Sequence, residues 1–165
     1  MEQKRKFSRS FSLTYKKLGK SNNAAIDFSF TKEHRTASSL KSDRKPHQSG
    51  VAKRGRNTKI HMINNIEQKP IDFCLSPGHA SVYKAGKKLV GKNIHCFKKL
   101  LADKAYDTNN IQKMLDRQKV GACISAKSNR KTKITYDTRL YKKRSGIEIM
   151  FGHIKEWRGI ATQYC

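Results

Sequence analysis

The chain has 165 residues, 37 of them Lys or Arg and 12 Asp or Glu, for a formal charge of +25 at pH 7. Such an excess points to a polyanionic partner held through counterion release, but charge alone names no chemistry, because ribosomal, histone-like and membrane-surface proteins share it. With 36% hydrophobic residues the length suits one domain with a modest core; no apolar run nears the roughly 20 residues of a membrane span, and Cys74, Cys96, Cys123 and Cys165 lack zinc-finger or disulfide-framework spacing, which leaves reduced thiols in a cytoplasm.

Residues 1–23 are rich in Lys, Arg, Ser and Asn without periodicity and read as a basic disordered tail, either a nucleic-acid-binding arm or, by composition, a transit peptide. An ordered domain is expected over 24–165. Residues 24–30, A-A-I-D-F-S-F, read as a short strand with Asp27 at its centre, an unusual place for an acid. Residues 41–56 are basic and broken by Pro46 and Gly50, which predicts a loop. Strands over 58–63 and 70–75, joined by polar residues 64–69, predict a hairpin that Ser76, Pro77 and Gly78 terminate. A helix is expected over 82–90 and a buried strand over 97–102, delivering Asp103 at its end. Strand ends carry ligand sites in open α/β sheets because the following loops are free to shape a pocket. Residues 109–119 read as a helix with Ile111, Met114 and Leu115 inside; Asp107 is expected to cap it, the alternative being a partner that braces the acids from behind, and Tyr106 is expected to pack beside its strand rather than stack on a base. A last strand over 121–125, a basic connection over 127–139 and a final helix complete the order. Three strands, helix, strand, helix, strand, helix is an α/β pattern that fits a ribonuclease-H-like mixed sheet flanked by helices.

The final helix carries Tyr141, Arg144, Glu148 and Lys155 in the spacing Y-x2-R-x3-E-x6-K. At about 100° per residue all four lie within about 60° of one another if the helix is continuous, beside an apolar stripe of Leu140, Ile147, Phe151 and Ile154. The bland alternative is a solvated charged face. Asp27, Asp103 and Glu148 drawn together would make a hard, oxygen-rich site suited to magnesium or manganese, where two ions about 3.5 to 4 Å apart promote displacement at phosphorus. Their carboxyl pKa values should rise through mutual repulsion, with Lys104, Arg144 and Lys155 offering relief. Trp157 is expected either to stack on a base or to be buried on the helix face, His34 and His61 are not expected to bind metal, and Asp72 is assigned no catalytic role.

Four blocks give these acids a context: I-D-F-S-F-T-K-E-H-R-T-A-S-S from Ile26, R-G-R-N-T-K-I-H from Arg54, L-A-D-K-A-Y-D from Leu101, and Y-K-K-R-S-G-I-E-I-M-F-G-H-I-K-E-W-R-G-I-A-T from Tyr141. In this order they resemble the DDE transposases of bacterial insertion sequences, the four/five type with the Y-R-E-K signature. The resemblance covers most of the chain after Ala24. It implies that Asp27, Asp103 and Glu148 are the catalytic, metal-binding acids, that Tyr141, Arg144 and Lys155 are signature residues that contact DNA phosphate or brace the acids, and that the site takes two Mg2+ or Mn2+ ions. It further implies metal-dependent cleavage and strand transfer on transposon-end and target DNA, a transposase oligomer, and a cytoplasmic, nucleoid-associated protein with no membrane. Family members are usually about twice as long, so the resemblance also implies a truncated domain, incomplete at the C-terminus and impaired on its own. Phe28 and Ala105 replace a small hydroxyl residue and a glycine of the family pattern, and Gly146 and Gly152 interrupt the last helix. A non-enzymatic basic nucleic-acid-binding protein and another ribonuclease-H-like nuclease remain the alternative readings.

Overall fold

Alternation along A-A-I-D-F-S-F puts Ala24, Ile26 and Phe28 on one face of a strand and Ala25 and Asp27 on the other, and both faces are covered. That strand is the centre of the sheet. The computed structural model describes residues 21–33, 50–52, 55–130, 135–158 and 162–163. Its elements are β1 (Ser21–Glu33), β2 (Gly50–Ala52), β3 (Gly55–Asn65), β4 (Pro70–Pro77), α1 (Val82–Asn93), β5 (Phe97–Ala102), α2 (Asn109–Arg117), β6 (Gly121–Ile124), α3 (Thr138–Lys142), α4 (Ser145–Glu156) and β7 (Thr162–Gln163).

β1 runs antiparallel to β3 and parallel to β5; β3 continues antiparallel to β4, and β5 pairs parallel with β6. The main strands therefore lie in the order β4, β3, β1, β5, β6, with the short β2 and β7 added on β3 and β1. This is the ribonuclease-H-like mixed sheet expected from the order of elements. On one face Ala24, Ile26, Leu100, Ala102 and Ile124 pack with Leu89 and Val90 of α1 and Ile111 and Leu115 of α2. On the other, Ala25, Met62, Leu101 and Cys123 pack with Ile147 and Phe151 of α4. Each fully buried Ile or Leu contributes roughly 1.5–3 kcal/mol, so the helices are fixed on the sheet mainly by these contacts.

Tyr106 packs as expected, fully buried, and it does so against bare backbone. A Cβ on Gly86 of α1 would lie 2.3 Å from its ring, so only glycine lets the helix and ring approach this closely.

Several boundaries differ from those expected. β1 begins at Ser21, three residues inside the expected tail, because residues 21–24 pair with β5; residues 1–20 lie outside the described residues. The expected loop over 41–56 closes in a hairpin, since Gly50–Ala52 pairs with the start of β3; residues 34–49 and 53–54 lie outside the described residues. Asp107 does not cap α2: Thr108 does, its hydroxyl accepting from Ile111 N–H at 3.3 Å. Nor is the signature carried by one helix. α3 ends at Lys142 and α4 starts at Ser145, and the junction is a tight turn with Lys143 N–H on Leu140 O, Arg144 N–H on Tyr141 O and Ile147 N–H on Arg144 O.

Candidate active site

Two acids are brought together by strand register alone. Ala25 stands opposite Leu101 and Ile26 opposite Ala102 in the parallel β1 and β5 pair, so Asp27 and Asp103 follow side by side, on the face covered by α4. Asp27 Oδ1 accepts from Phe28 N–H at 2.8 Å, and Asp103 Oδ1 accepts from Lys104 N–H at 2.6 Å. Each carboxylate thus has one oxygen tied to the next peptide and one left for another partner.

For Asp27 that partner comes from the signature. Arg144 Nη1 donates to Asp27 Oδ2 at 2.6 Å while Nη2 donates to Glu148 Oε1, also at 2.6 Å. The second contact is an i, i+4 pair at the start of α4, where a carboxylate is also favoured by the helix dipole. The turn between the helices explains the position of Arg144. Residues three apart eclipse in a 3-10 turn, which stacks Arg144 over Tyr141, its guanidinium carbon 5.7 Å from the ring centre. Tyr141 in turn donates its hydroxyl to Ser125 Oγ at 3.2 Å and packs on Tyr136.

Burial raises the Asp27 carboxyl above its ordinary 3.8, opposed by the Phe28 N–H and the Arg144 charge and reinforced by Asp103. Burial alone would lower the Arg144 pKa, but the charges of Asp27, Tyr141, Glu148 and Asp103 leave it raised. The arrangement is therefore a set of acids organised around one positive charge. Asp103 acts electrostatically on both Asp27 and Arg144.

Lys155 does not join this group. It lies on α4 seven residues past Glu148, on the same side but about 10 Å along the axis, and is exposed. Glu148 is itself 56% exposed, on the rim of the buried face. The donor set of three carboxylates is chemically suited to a hard divalent ion. In the observed arrangement, however, the guanidinium is the cation shared by Asp27 and Glu148, and among the described residues no three Asp, Glu, His or Cys side chains stand close enough to hold a metal ion.

Other candidates resolve more simply. His61 is buried with Nε2 2.8 Å from Ser76 Oγ, and burial, helped by Lys59, pulls its pKa down to about 4. Asp72 is structural, accepting from Lys92 and Asn93 and so tying β4 to α1. Trp157 is 72% exposed, which rules out burial on the helix face. Cys96 and Cys123 are buried and Cys74 is half-buried; His34 and Cys165 lie outside the described residues.

One pair joins Asp107, read from the sequence as a helix cap, to a residue the sequence does not single out. Asp107 and Arg130 form an ion pair with the Asp107 side chain 1% exposed. The basic stretch over 127–139 gives Arg130 no distinction from its neighbours, and Asp107 has the sequence context of a helix cap.

The family described as Transposase DDE domain matches residues 20–165. A Brucella ovis protein named as a putative transposase for insertion sequence element IS6501 is 32% identical over 113 residues, covering 64% of this chain and 82% of its own. Among solved structures, the Mos1 strand transfer complex is similar at a TM-score of 0.45 and 13% identity, covering 93% of this chain and 47% of that one. The Mos1 mariner paired end complex with Mn is similar at 0.46 and 12%, covering 87% and 45%. The chain spans about half the length of these Mos1 chains. Among the described residues no helix is long and apolar enough to cross a membrane.

Proposed function

From the premise that the chain belongs to the transposase DDE domain family, we propose that it acts on the DNA of an insertion sequence, cleaving strands and joining them by metal-dependent displacement at phosphorus. The observation that carries this reading is the placement of Asp27, in the middle of β1, beside Asp103, just past the end of β5, where the parallel pairing of the two strands stops and the Arg144–Glu148 pair reaches Asp27. Asp27, Asp103 and Glu148 would hold Mg2+ or Mn2+, which when bound supplies Lewis-acid activation of the phosphodiester.

The chain's own residues have separate tasks. Asp27 sits in a partly buried position where its charge acts through a low dielectric. Arg144, stacked on Tyr141, is held where it can turn from the acids to a DNA phosphate, and Lys155 extends the basic track two turns along α4. In the displacement the oxygen of water, for cleavage, or of a DNA 3′ hydroxyl, for joining, gives up its proton and bonds phosphorus as the opposite P–O bond breaks, and the leaving 3′ oxygen takes up a proton. The +25 charge supplies sequence-independent affinity for the backbone. DNA as partner, assembly into a transposase oligomer and a bacterial cytoplasmic, nucleoid-associated location belong to the same proposal.

A second reading is favoured by one observation, that Asp27 and Glu148 already share Arg144 as their counter-charge. On that reading the chain is a non-enzymatic DNA-binding protein. The experiment incubates the chain with supercoiled plasmid and with duplexes drawn from the DNA on either side of its coding region, in Mn2+, Mg2+ or EDTA. Metal-dependent nicking lost in Asp103→Asn and Glu148→Gln is the expected result. Salt-sensitive binding with no cleavage, indifferent to metal and to Asp103→Asn, would establish the second reading instead.

A further inference from the structure

Asp107 follows Asp103 by four residues, and three groups from two segments converge on its carboxylate. Lys127 N–H donates to Oδ2 at 3.0 Å, Arg130 Nη1 pairs with Oδ1, and Gln112 Nε2 of α2 approaches Oδ1 at 3.5 Å. The other arm of Arg130 reaches Asn109 Oδ1 at 3.0 Å, and Arg130 N–H closes a turn onto Lys127 O at 3.1 Å. Asp107 is itself fixed relative to Asp103, since its N–H bonds Lys104 O and Tyr106 N–H bonds Asp103 O.

The loop so held begins at Ser125. Its N–H bonds Ala102 O at 3.3 Å, beside Asp103, and its hydroxyl accepts from Tyr141 at 3.2 Å. A chain of contacts thus runs from Asp107 through Lys127 and Arg130 to Ser125, then to Tyr141, and through the stacked guanidinium to Arg144 and its two acids. Stability alone is a weak reason for such a pair, because a buried ion pair roughly breaks even against apolar residues of the same volume. What it supplies is geometry: a planar fork spanning Asp107 and Asn109, which lysine cannot reproduce.

We propose that Asp107 and Arg130 are positioning residues of the active site, pinning the loop over 125–130 so that Ser125 receives Tyr141 and sets Arg144 and Glu148 against Asp27 and Asp103. The catalytic meaning rests on the function proposed above, but the mechanical coupling does not. Amide hydrogen exchange on the full chain, without metal or DNA, tests it. In Arg130→Lys and in Asp107→Asn, protection at Tyr141, Lys143 and Arg144, whose N–H groups bond Asp137, Leu140 and Tyr141 carbonyls, should fall about 10-fold more than protection in β3 and β4. Tyr141→Phe should produce the same local loss, and adding Arg130→Lys to it should cost little more.

A loss confined to 125–130 and α2, an equal loss in every element, or α3 amides that exchange at the free-peptide rate in the unsubstituted chain would each overturn the proposal. Should Asp107→Asn fail to fold, Arg130→Lys, which keeps the charge, and Tyr141→Phe carry the test. A chain inert on DNA would remove the catalytic reading and leave the exchange result standing.

Discussion

Arg144 Nη1 lies 2.6 Å from Asp27 Oδ2, although 117 residues separate the two along the chain. Both side chains are largely shielded, 17% and 15% exposed, so the contact joins the first strand to the start of α4 under conditions where solvent screens it weakly. The other arm of the same guanidinium holds Glu148. A fixed cation between two acids lowers the repulsion that would otherwise oppose their meeting.

Replacing Arg144 by Gln should therefore raise the already elevated Asp27 pKa further, as read from its carboxyl shift in an NMR titration. Because burial puts the native Asp27 pKa above the ordinary 3.8, Asp27 contributes stability that is fully present below 3.8 and lost as pH rises through the native value. Arg144→Gln should carry that window to higher pH and cost about 1.5–3 kcal/mol at neutral pH, where the carboxylate loses a charged hydrogen bond. An unchanged Asp27 titration would show that the ion pair does not persist in solution.

Asp103 gives the complementary case. Its charge raises Asp27, and among the described residues its carboxylate is tied only to Lys104 N–H. Asp103→Asn should thus leave the metal-free melting midpoint nearly unchanged and lower the Asp27 pKa. In the unsubstituted chain, Mn2+ at a hundredfold excess over Kd should stabilise the fold by about 2.7 kcal/mol by mass action. That gain should vanish in Asp103→Asn and on adding EDTA. Equal stabilisation of both chains by Mn2+ would place the ion elsewhere.

His61 predicts a pH effect of opposite origin. It is fully buried and its pKa is pulled down to about 4, chiefly by burial and secondarily by Lys59. Between about 4 and the ordinary 6.5 the unfolded chain binds a proton that the native chain does not, so stability should fall as pH drops through this interval. The full effect is roughly 3 kcal/mol at 1.36 kcal/mol per pH unit. Denaturant titrations at pH 7, 5.5 and 4 should show it, and His61→Gln should remove that component of the slope. A slope unaltered by His61→Gln would assign the acid sensitivity to other groups.

What the sequence made legible were features with a local cause. The alternation around Asp27 and the apolar run before Asp103 located both acids, and because these strands are neighbours, one register brings them together. The Y-x2-R-x3-E spacing located Arg144 and Glu148, but helical periodicity assumed a continuous helix; the tight turn at Lys143 and Arg144 breaks it while keeping Tyr141 beneath Arg144. Lys155 shows the limit of a wheel, which records angle and not distance along the axis. The Asp107–Arg130 pair was invisible for a different reason: its members lie 23 residues apart in different segments, and nothing in either segment marks its partner.

The glycines of α4 separate the two costs of this residue. Gly146 and Gly152 both lie inside the helix, where each gives up about 1 kcal/mol relative to Ala through the freedom lost on folding. At Gly152 an added Cβ would meet nothing within 4 Å, so Gly152→Ala should recover that amount and raise the melting temperature by about 2–4 °C. At Gly146 the Cβ would stand 3.2 Å from Cγ of Gln68, the middle of a flexible exposed side chain on the turn between β3 and β4, so Ala should gain less there. Gly86 is the opposite case: its Cβ would be driven to 2.3 Å from the buried Tyr106 ring, and Gly86→Ala should cost about 1–3 kcal/mol through overpacking. Thermal unfolding of the three variants should therefore rank them Gly152→Ala above Gly146→Ala above Gly86→Ala. A destabilising Gly152→Ala would mean that the outer face of α4 is covered in solution.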